Sequence, residues 1–401
     1  GFSQKKYLGD GPHSQLIIRG VMLINGDGSP PRGPMDIVVE NNRIVNMKIV
    51  GYPGVKINEK RRPKLKKGGK ELDANGMYLL PGFIDMHVHI EGENLIEDNK
   101  ALLSLYIAYG ITTVRDCASD LGEQVLAWRD EINQGSLFGP QIYTAGRKLE
   151  GINSIWKGDL EIANTTELNQ MLDKLENYNV DFIKITENTL SGQLFLKSVE
   201  ESKKRGFKTS GHVPIDVTIN ELATAGFSSI EHASYLLRLG SDENKTVTQI
   251  KSQTLSKAEA NKNYMLNFNQ EKAIKAYHDL AKTNIAVTPT LIGGKQLAYL
   301  DENNHQDDEF LHYLTKRFTD SYQWRISRMA NDTPEQKQQR KERYQRIAKQ
   351  LPYIQDAGIT ILAGSDSAAL NTFVYPALAL HEELGLFQDA GLTPLQILQS
   401  A

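Results

Sequence analysis

Apolar and polar positions follow two different rhythms along this chain. In residues 15–50 the apolar residues fall in short extended runs, Gln15–Ile24, Met35–Glu40 and Arg43–Asn46. A Gly/Pro turn separates the first two, and Asn41-Asn42 joins the last two as a hairpin signal. From Leu79 onward, short apolar runs are spaced by amphipathic segments such as Leu168–Tyr178 and Gln193–Arg205, whose apolar residues recur at helical spacing. Eight such runs can be counted: Phe83–Val88, Thr112–Arg115, Gln141–Thr144, Phe182–Ile185, Lys208–His212, Ser228–His232, Ala286–Thr290 and Ile359–Ala363. Gly110, Gly206, Gly226 and Gly358 stand just before strands, where a preceding helix must stop.

Eight strand–helix alternations predict an α/β protein, a (β/α)8 TIM barrel over residues 79–401, with a small N-terminal β-sandwich portion and a basic loop over residues 1–78. An open doubly wound sheet fits less well, because no Gly-rich first turn is present. The largest insertions, Leu236–Asn284 and Gly293–Gln350, are charged and read as helical. They follow strands six and seven, on the face where barrel active sites lie.

Composition narrows the class without changing this picture. The 401 residues are 40% hydrophobic and 24% charged, as in globular proteins, and the net charge of −3 gives no general pull toward nucleic acid or acidic membrane. Cys117 is the single cysteine, so no internal disulfide and no oxidising compartment is needed. No apolar run approaches the roughly 18–20 residues of a membrane span. The chain begins at Gly1 with a polar stretch, Phe2–Ser14, which fits either removal of a leader or a fragment and leaves cytoplasmic and exported locations both open. The basic stretch Asn58–Glu71, with Lys60, Arg61, Arg62, Lys64, Lys66, Lys67 and Lys70, reads as a solvated loop. Assembly into a homo-oligomer is left open.

Chemistry enters at the strand ends. Catalytic residues of a barrel gather at the C-terminal ends of several strands. The first strand ends in His87 and His89, which alternation along a strand places on one face. The fourth carries Lys184, the fifth ends at His212, the sixth at His232, and the eighth leads into Asp366. Taken singly, each has an ordinary explanation: a buried histidine, a surface lysine, a helix-capping aspartate. Their coincidence at equivalent ends of separate strands points instead to a metal site, since neutral imidazole suits zinc and other first-row metals.

The motifs LPGFIDMHVH (Leu80–His89), GITTVRD (Gly110–Asp116), VDFIKI (Val180–Ile185), GHVP (Gly211–Pro214), SIEHAS (Ser229–Ser234), LAGSDS (Leu362–Ser367) and HEELGLFQDAGLTPLQIL (His381–Leu398) together resemble the amidohydrolase superfamily, in its prolidase-like and imidazolonepropionase-related branch. The resemblance implies two divalent metal ions, zinc foremost, with manganese or iron allowed. His87 and His89 would hold one ion with Asp366, and His212 and His232 the other. Lys184 would bridge them as a carbamate, since an ammonium cannot ligate a metal. It also implies hydrolysis of a carbon–nitrogen bond through a metal-bridging hydroxide, with Asp366 catalytic as the proton carrier. The substrate would be a small amide, lactam or dipeptide.

Rival functions remain within and beyond this fold. A mononuclear deaminase would place a glutamate three residues after the strand-five histidine, where this chain has Ile215, and would leave Lys184 without a task. A lactonase or esterase of the same superfamily would keep the same ligands. A non-catalytic barrel relative would be expected to lose them. For substrate contacts, Gly146–Asp159 resembles the family's substrate-side loop. There Trp156 offers a stacking surface, and Arg147 or Lys157 a cation for a carboxylate. Tyr235, three residues after His232, offers a hydroxyl. The loop lacks the His-containing Gly-rich segment of the dipeptidase members, which shifts weight from peptides toward other amides, lactams or esters. Asp116 is a candidate for orienting a ligand, and Cys117 reads as a small buried hydrophobe. Family members continue past the GLTP helix into further strands, so a chain stopping at Ala401 predicts a half-built sandwich with exposed edges around residues 15–50.

Overall fold

The structure, a computed structural model, describes residues 10–401. Most of the polar stretch Phe2–Ser14 therefore lies outside the described residues. The chain divides into two compact units. One runs to Gly82 and takes in Thr393–Gln399, and the other spans Phe83–Leu392 with Ser400–Ala401.

The first unit is a mixed sheet of β1 (Gln15–Leu23), β2 (Arg32–Glu40), β3 (Arg43–Ile49), β4 (Lys70–Asp73) and β5 (Tyr78–Leu79), in the order β3-β2-β1-β4 with β5 also on β1. The hairpin signal is realised: Asn41 and Asn42 take φ of 48° and 59°, the two left-handed positions of a type I′ turn. Val21, Leu23, Met35, Ile37 and Ala74 form its apolar core. Every residue of β3 is exposed, Ile44, Val45, Met47 and Ile49 included. The basic stretch is less free than its composition suggests. Arg62 joins Arg19 on the buried Asp36 carboxylate at 2.9 Å each, and Lys66 reaches Glu40 at 2.8 Å.

The second unit contains the eight predicted strands. They are β6 (Phe83–Val88), β7 (Ile111–Asp116), β8 (Gln141–Thr144), β11 (Ile183–Ile185), β12 (Thr209–Gly211), β13 (Ser229–Glu231), β14 (Ala286–Thr288) and β15 (Thr360–Ile361). The short β9 (Leu149–Glu150) and β10 (Leu160–Glu161) lie between β8 and β11. All neighbours in this unit pair in parallel. Backbone bonds from Asp181 N to Thr144 O and from Met86 N to Ala363 O join the two strand groups at both ends, giving the cyclic order of a (β/α)8 barrel. Arg115, Ser210, Ser229, Glu231 and Thr288 bond to one another across the barrel, so the interior is a packed polar network and not a pore, while the buried Ile183, Ile185, Ile230 and Val287 alternate with inward-facing residues.

Both large insertions are helical, as their composition predicts. Helix Pro334–Ala357 starts with a capping box at Thr333 and Gln336 and ends at Gly358, whose φ of 92° stops the helix before β15. No helix among the described residues is long and apolar enough to cross a membrane.

Candidate active site

The predicted ligands converge at the C-terminal ends of the barrel strands, and the local sequence explains how. His87 lies inside β6 and His89 just beyond it, two residues apart on one face. Asp85, two residues earlier, accepts the amide of Ser365 at 2.9 Å and its hydroxyl at 2.6 Å, which pins the strand-eight loop against β6. Gly364 makes that approach possible: a Cβ there would stand 2.8 Å from His87 Cβ and 2.6 Å from Thr288 Cγ2. On the other side of the barrel, a Cβ on Gly211 would lie 1.8 Å from Ile185 O, so only glycine lets β12 pack against the strand carrying Lys184.

Three candidate ligand atoms form a nearly equilateral triangle. His87 Nε2 and His89 Nε2 are 3.2 Å apart, and Asp366 Oδ1 lies 3.2 Å and 3.3 Å from them. Tetrahedral ligands about 2.0–2.1 Å from a zinc ion stand roughly 3.3 Å from one another, so the triangle has the size of three corners of such a site. Asp366 Oδ1 is buried and accepts no hydrogen bond. His232 belongs to the same cluster, its ring 5.3 Å from that of His87 and 5.1 Å from that of His212.

Each histidine is held by its other nitrogen. His87 Nδ1 meets Glu231 Oε2 at 2.7 Å, and His89 Nδ1 meets Ala118 O at 2.6 Å. His212 Nδ1 meets Glu187 Oε1 at 2.8 Å, and His232 Nδ1 meets Thr290 Oγ1 at 2.5 Å. Fixing Nδ1 to an acceptor leaves Nε2 with a lone pair for a cation, the arrangement by which proteins orient metal-bound imidazoles. His232, Asp366, Thr290 and Ala118 all have left-handed backbones, with φ of 81°, 58°, 48° and 87°. Such strain in non-glycine residues concentrates where function holds it in place.

Charge supports the same assignment. Burial pushes His212 below its ordinary range and His232 well below it, so both are neutral and able to ligate. Burial acts against charge at His87 and His89 too, yet the Asp366 carboxylate (with Cys117 at His87) outweighs it and raises both. The point between His87, His89 and Asp366 is thus built to hold positive charge, whether a proton or a metal cation. Lys184 is 1% exposed and lines the same cavity. Its amine has no hydrogen-bond or ion-pair partner among the described residues, an arrangement that is costly for a bare ammonium. These donors fit a divalent-metal centre.

Two contributors, Glu231 and Glu187, were not singled out in the sequence, and Asp116 and Cys117, which were, also pack around the site. Glu231 Oε1 accepts from Arg115 at 2.5 Å, Ser210 at 2.6 Å and Ser229 at 2.7 Å while Oε2 holds His87. Glu231 precedes His232 directly, and simple alternation would turn it away from the site; the left-handed backbone at His232 (φ 81°) breaks the alternation and lets both side chains reach His87. Glu187, two residues beyond β11, gave no sequence signal. Asp116 accepts from Ile90 N and Thr144 Oγ1 and so ties the segment after His89 to β8. Cys117 is fully buried and lies near His87 and Glu231. Both Glu231 oxygens are already taken by donors, so the Cys117 group makes a poor second metal cluster.

A cavity of about 590 Å³ opens onto His89, Lys184, His212, His232 and Asp366. Trp156 and Lys157 stand on its wall. Arg147 is not. Its guanidinium binds Glu123 at 2.8 Å and Gly158 O at 3.0 Å, which leaves little for a ligand. Tyr235 lines a neighbouring cavity of about 250 Å³, with its hydroxyl donating to Glu187 at 3.1 Å.

Residues 78–401 match the sequence profile of the amidohydrolase family. A segment of 114 residues, 28% of this chain, is 33% identical to N-acyl-D-aspartate deacylase of Alcaligenes xylosoxydans xylosoxydans, and the chain spans only 19% of that protein's length. Among solved structures, a bottromycin amidohydrolase superposes with a TM-score of 0.71 at 17% identity, over 98% of this chain and 77% of that one. A Xaa-Pro dipeptidase with bound methionine gives 0.64 at 18% identity, over 97% and 87%.

Proposed function

The chain belongs to the amidohydrolase family, and from that premise we propose that it is a metal-dependent hydrolase that cleaves a carbon–nitrogen amide bond in a small molecule. The observation that carries the reading is the triangle of His87 Nε2, His89 Nε2 and Asp366 Oδ1, with every neighbouring histidine held by Nδ1. His87, His89 and Asp366 would hold one divalent ion, and His212 and His232 a second. Lys184 would serve both as a carbamate, formed when its amine adds to carbon dioxide and releases a proton, which leaves one negative charge shared by two oxygens. Bound there, zinc or a similar ion supplies a Lewis acid for the scissile carbonyl and brings the pKa of water toward neutrality.

The chain's own residues supply the rest. Asp366 accepts a proton from the attacking water and returns it to the departing nitrogen, so that the amine leaves neutral. Glu231 and Glu187 fix the imidazoles of His87 and His212, so no reorientation is needed during turnover. The cavity wall encloses the amide and limits bulk water at the reacting carbon. The names of similar proteins, a deacylase, an amidohydrolase and a dipeptidase, agree with amide chemistry.

The test is a screen of N-acyl amino acids, dipeptides and cyclic amides with metal-loaded protein, alongside His87→Ala. Metal-dependent release of amine that disappears in the variant is expected. Cleavage that survives both chelation and His87→Ala would rule the reading out. For the bridge, Lys184→Ala should lose activity that bicarbonate with a short-chain acid partly restores; undiminished activity would exclude the carbamate.

A further inference from the structure

The helical insertion after β14 sends one short helix, Gln323–Met329, to the active-site cavity, where Trp324 and Arg325 join the wall. Arg325 is held firmly but not neutralised. Its Nε donates to Leu370 O at 3.0 Å and its Nη2 to Asn371 Oδ1 at 2.7 Å, both uncharged acceptors. Nη1 has no hydrogen-bond partner among the described residues, and no carboxylate there forms an ion pair with this guanidinium. Arg115, Arg129 and Arg147 in the same unit each meet a glutamate or aspartate. Glu91 and Asp366 share the cavity with Arg325, yet neither pairs with it. Lys148, half-buried on the same wall, is matched by Asp159 at 2.8 Å. Lys157 is exposed, with Glu93 at 3.9 Å.

Position ties Arg325 to the reaction centre. Asn371, which fixes Nη2, donates its own amide nitrogen to Asp366 O at 2.6 Å. Two hydrogen bonds thus relate the guanidinium to the residue proposed to carry the proton. Beside it, Trp156 and Trp324 stand 5.4 Å apart between ring centroids, and the Arg325 guanidinium lies 5.3 Å from the Trp324 ring. A planar, always-charged fork with free donors in a partly desolvated cavity matches a carboxylate, and an adjoining indole pair matches an apolar or aromatic group.

We propose that Arg325 is the anchor for a free carboxylate on the substrate, with the Trp156–Trp324 pair packed on the side chain next to it. The substrate class is then an acidic amide, an N-acyl amino acid or a dipeptide with a free C-terminus. This rests on the amide-hydrolase reading above and narrows it to one class.

The test uses two probes, N-acetylphenylalanine and its carboxamide, with acetate release as the readout on metal-loaded protein. The acid should have the higher kcat/KM by roughly 10- to 100-fold, the range that charge-assisted hydrogen bonds span. Arg325→Met should collapse this preference toward unity, chiefly through KM, and Arg325→Lys should retain part of it. Calorimetric binding of the same two probes gives a readout independent of turnover, and the acid should bind more tightly by a similar factor. Equal cleavage of both probes by the unmodified protein, or a preference unchanged in Arg325→Met, would overturn the anchor and leave the hydrolase reading standing. If neither probe is cleaved, calorimetry alone decides the anchor, and equal affinity overturns it.

Discussion

Replacing Glu231 with glutamine changes one atom in the wall behind the proposed metal centre, and its consequences can be worked out in advance. The carboxylate accepts from four donors: Arg115 Nη2, Ser210 Oγ, Ser229 Oγ and His87 Nδ1. Glutamine offers one acceptor oxygen, and its NH2 must face a donor. Glu231 is 0% and Arg115 12% exposed at the side chain, so the variant leaves a largely buried guanidinium without its counter-charge. Removing one partner of a buried pair costs about 3–5 kcal/mol. In a unit of this size that corresponds to a fall in Tm of roughly 5–10 °C. The second effect falls on His87, whose ring loses the acceptor that fixes Nε2 toward Asp366, and loss of such an outer partner weakens metal affinity by about 10- to 100-fold. Scanning calorimetry with and without chelator gives the first quantity, and competition against a chromophoric chelator gives the second. A variant that melts and binds metal as the parent does would refute the claim that Glu231 positions His87.

Further predictions follow from other sites. Lys184→Met should leave the chelated protein at least as stable as the parent, because it removes a buried amine without partners, yet it should reduce the extra Tm that metal confers; a clear loss of stability in the chelated variant would contradict this. Gly211→Ala should lower Tm by a few degrees and impair metal binding together, since its Cβ would collide with Ile185 O; an unperturbed variant would show that β12 can shift freely. Asp36→Asn should destabilise the first unit. Burial raises the Asp36 pKa, but Arg62 and Arg19 outweigh it and hold it below the usual range. Its contribution is therefore present above the ordinary carboxylate pKa near 4 and lost as pH falls through the lower folded value. The Tm gap between parent and variant should shrink on acidification below about pH 4, and a gap that widened would reverse the sign argument.

The barrel was legible because its strands are short apolar runs at regular intervals, a signal that depends on neither partner nor register. Phe83–Val88 and Gln141–Thr144 match to the residue, and the others differ by one or two at their ends. The gathering of the candidate ligands was legible because barrel geometry sends strand ends to one mouth. What the sequence hid depends on contacts across the fold. Arg147 was read as free for a carboxylate, but Glu123, 24 residues earlier, already occupies it. Tyr235 follows His232 by three residues, yet the turn after β13 leads it to Glu187 and a separate cavity. Arg325 sits in an insertion with no strand-end position to mark it. Only the folded chain brings it against Leu370 and Asn371.

The central claim is a two-metal centre built from His87, His89, Lys184, His212, His232 and Asp366. Elemental analysis of protein purified without chelator and reloaded with zinc measures it most directly. The account predicts close to two ions per chain, falling to one or fewer in Lys184→Ala. A value that saturates at one or none in the unmodified protein would contradict it.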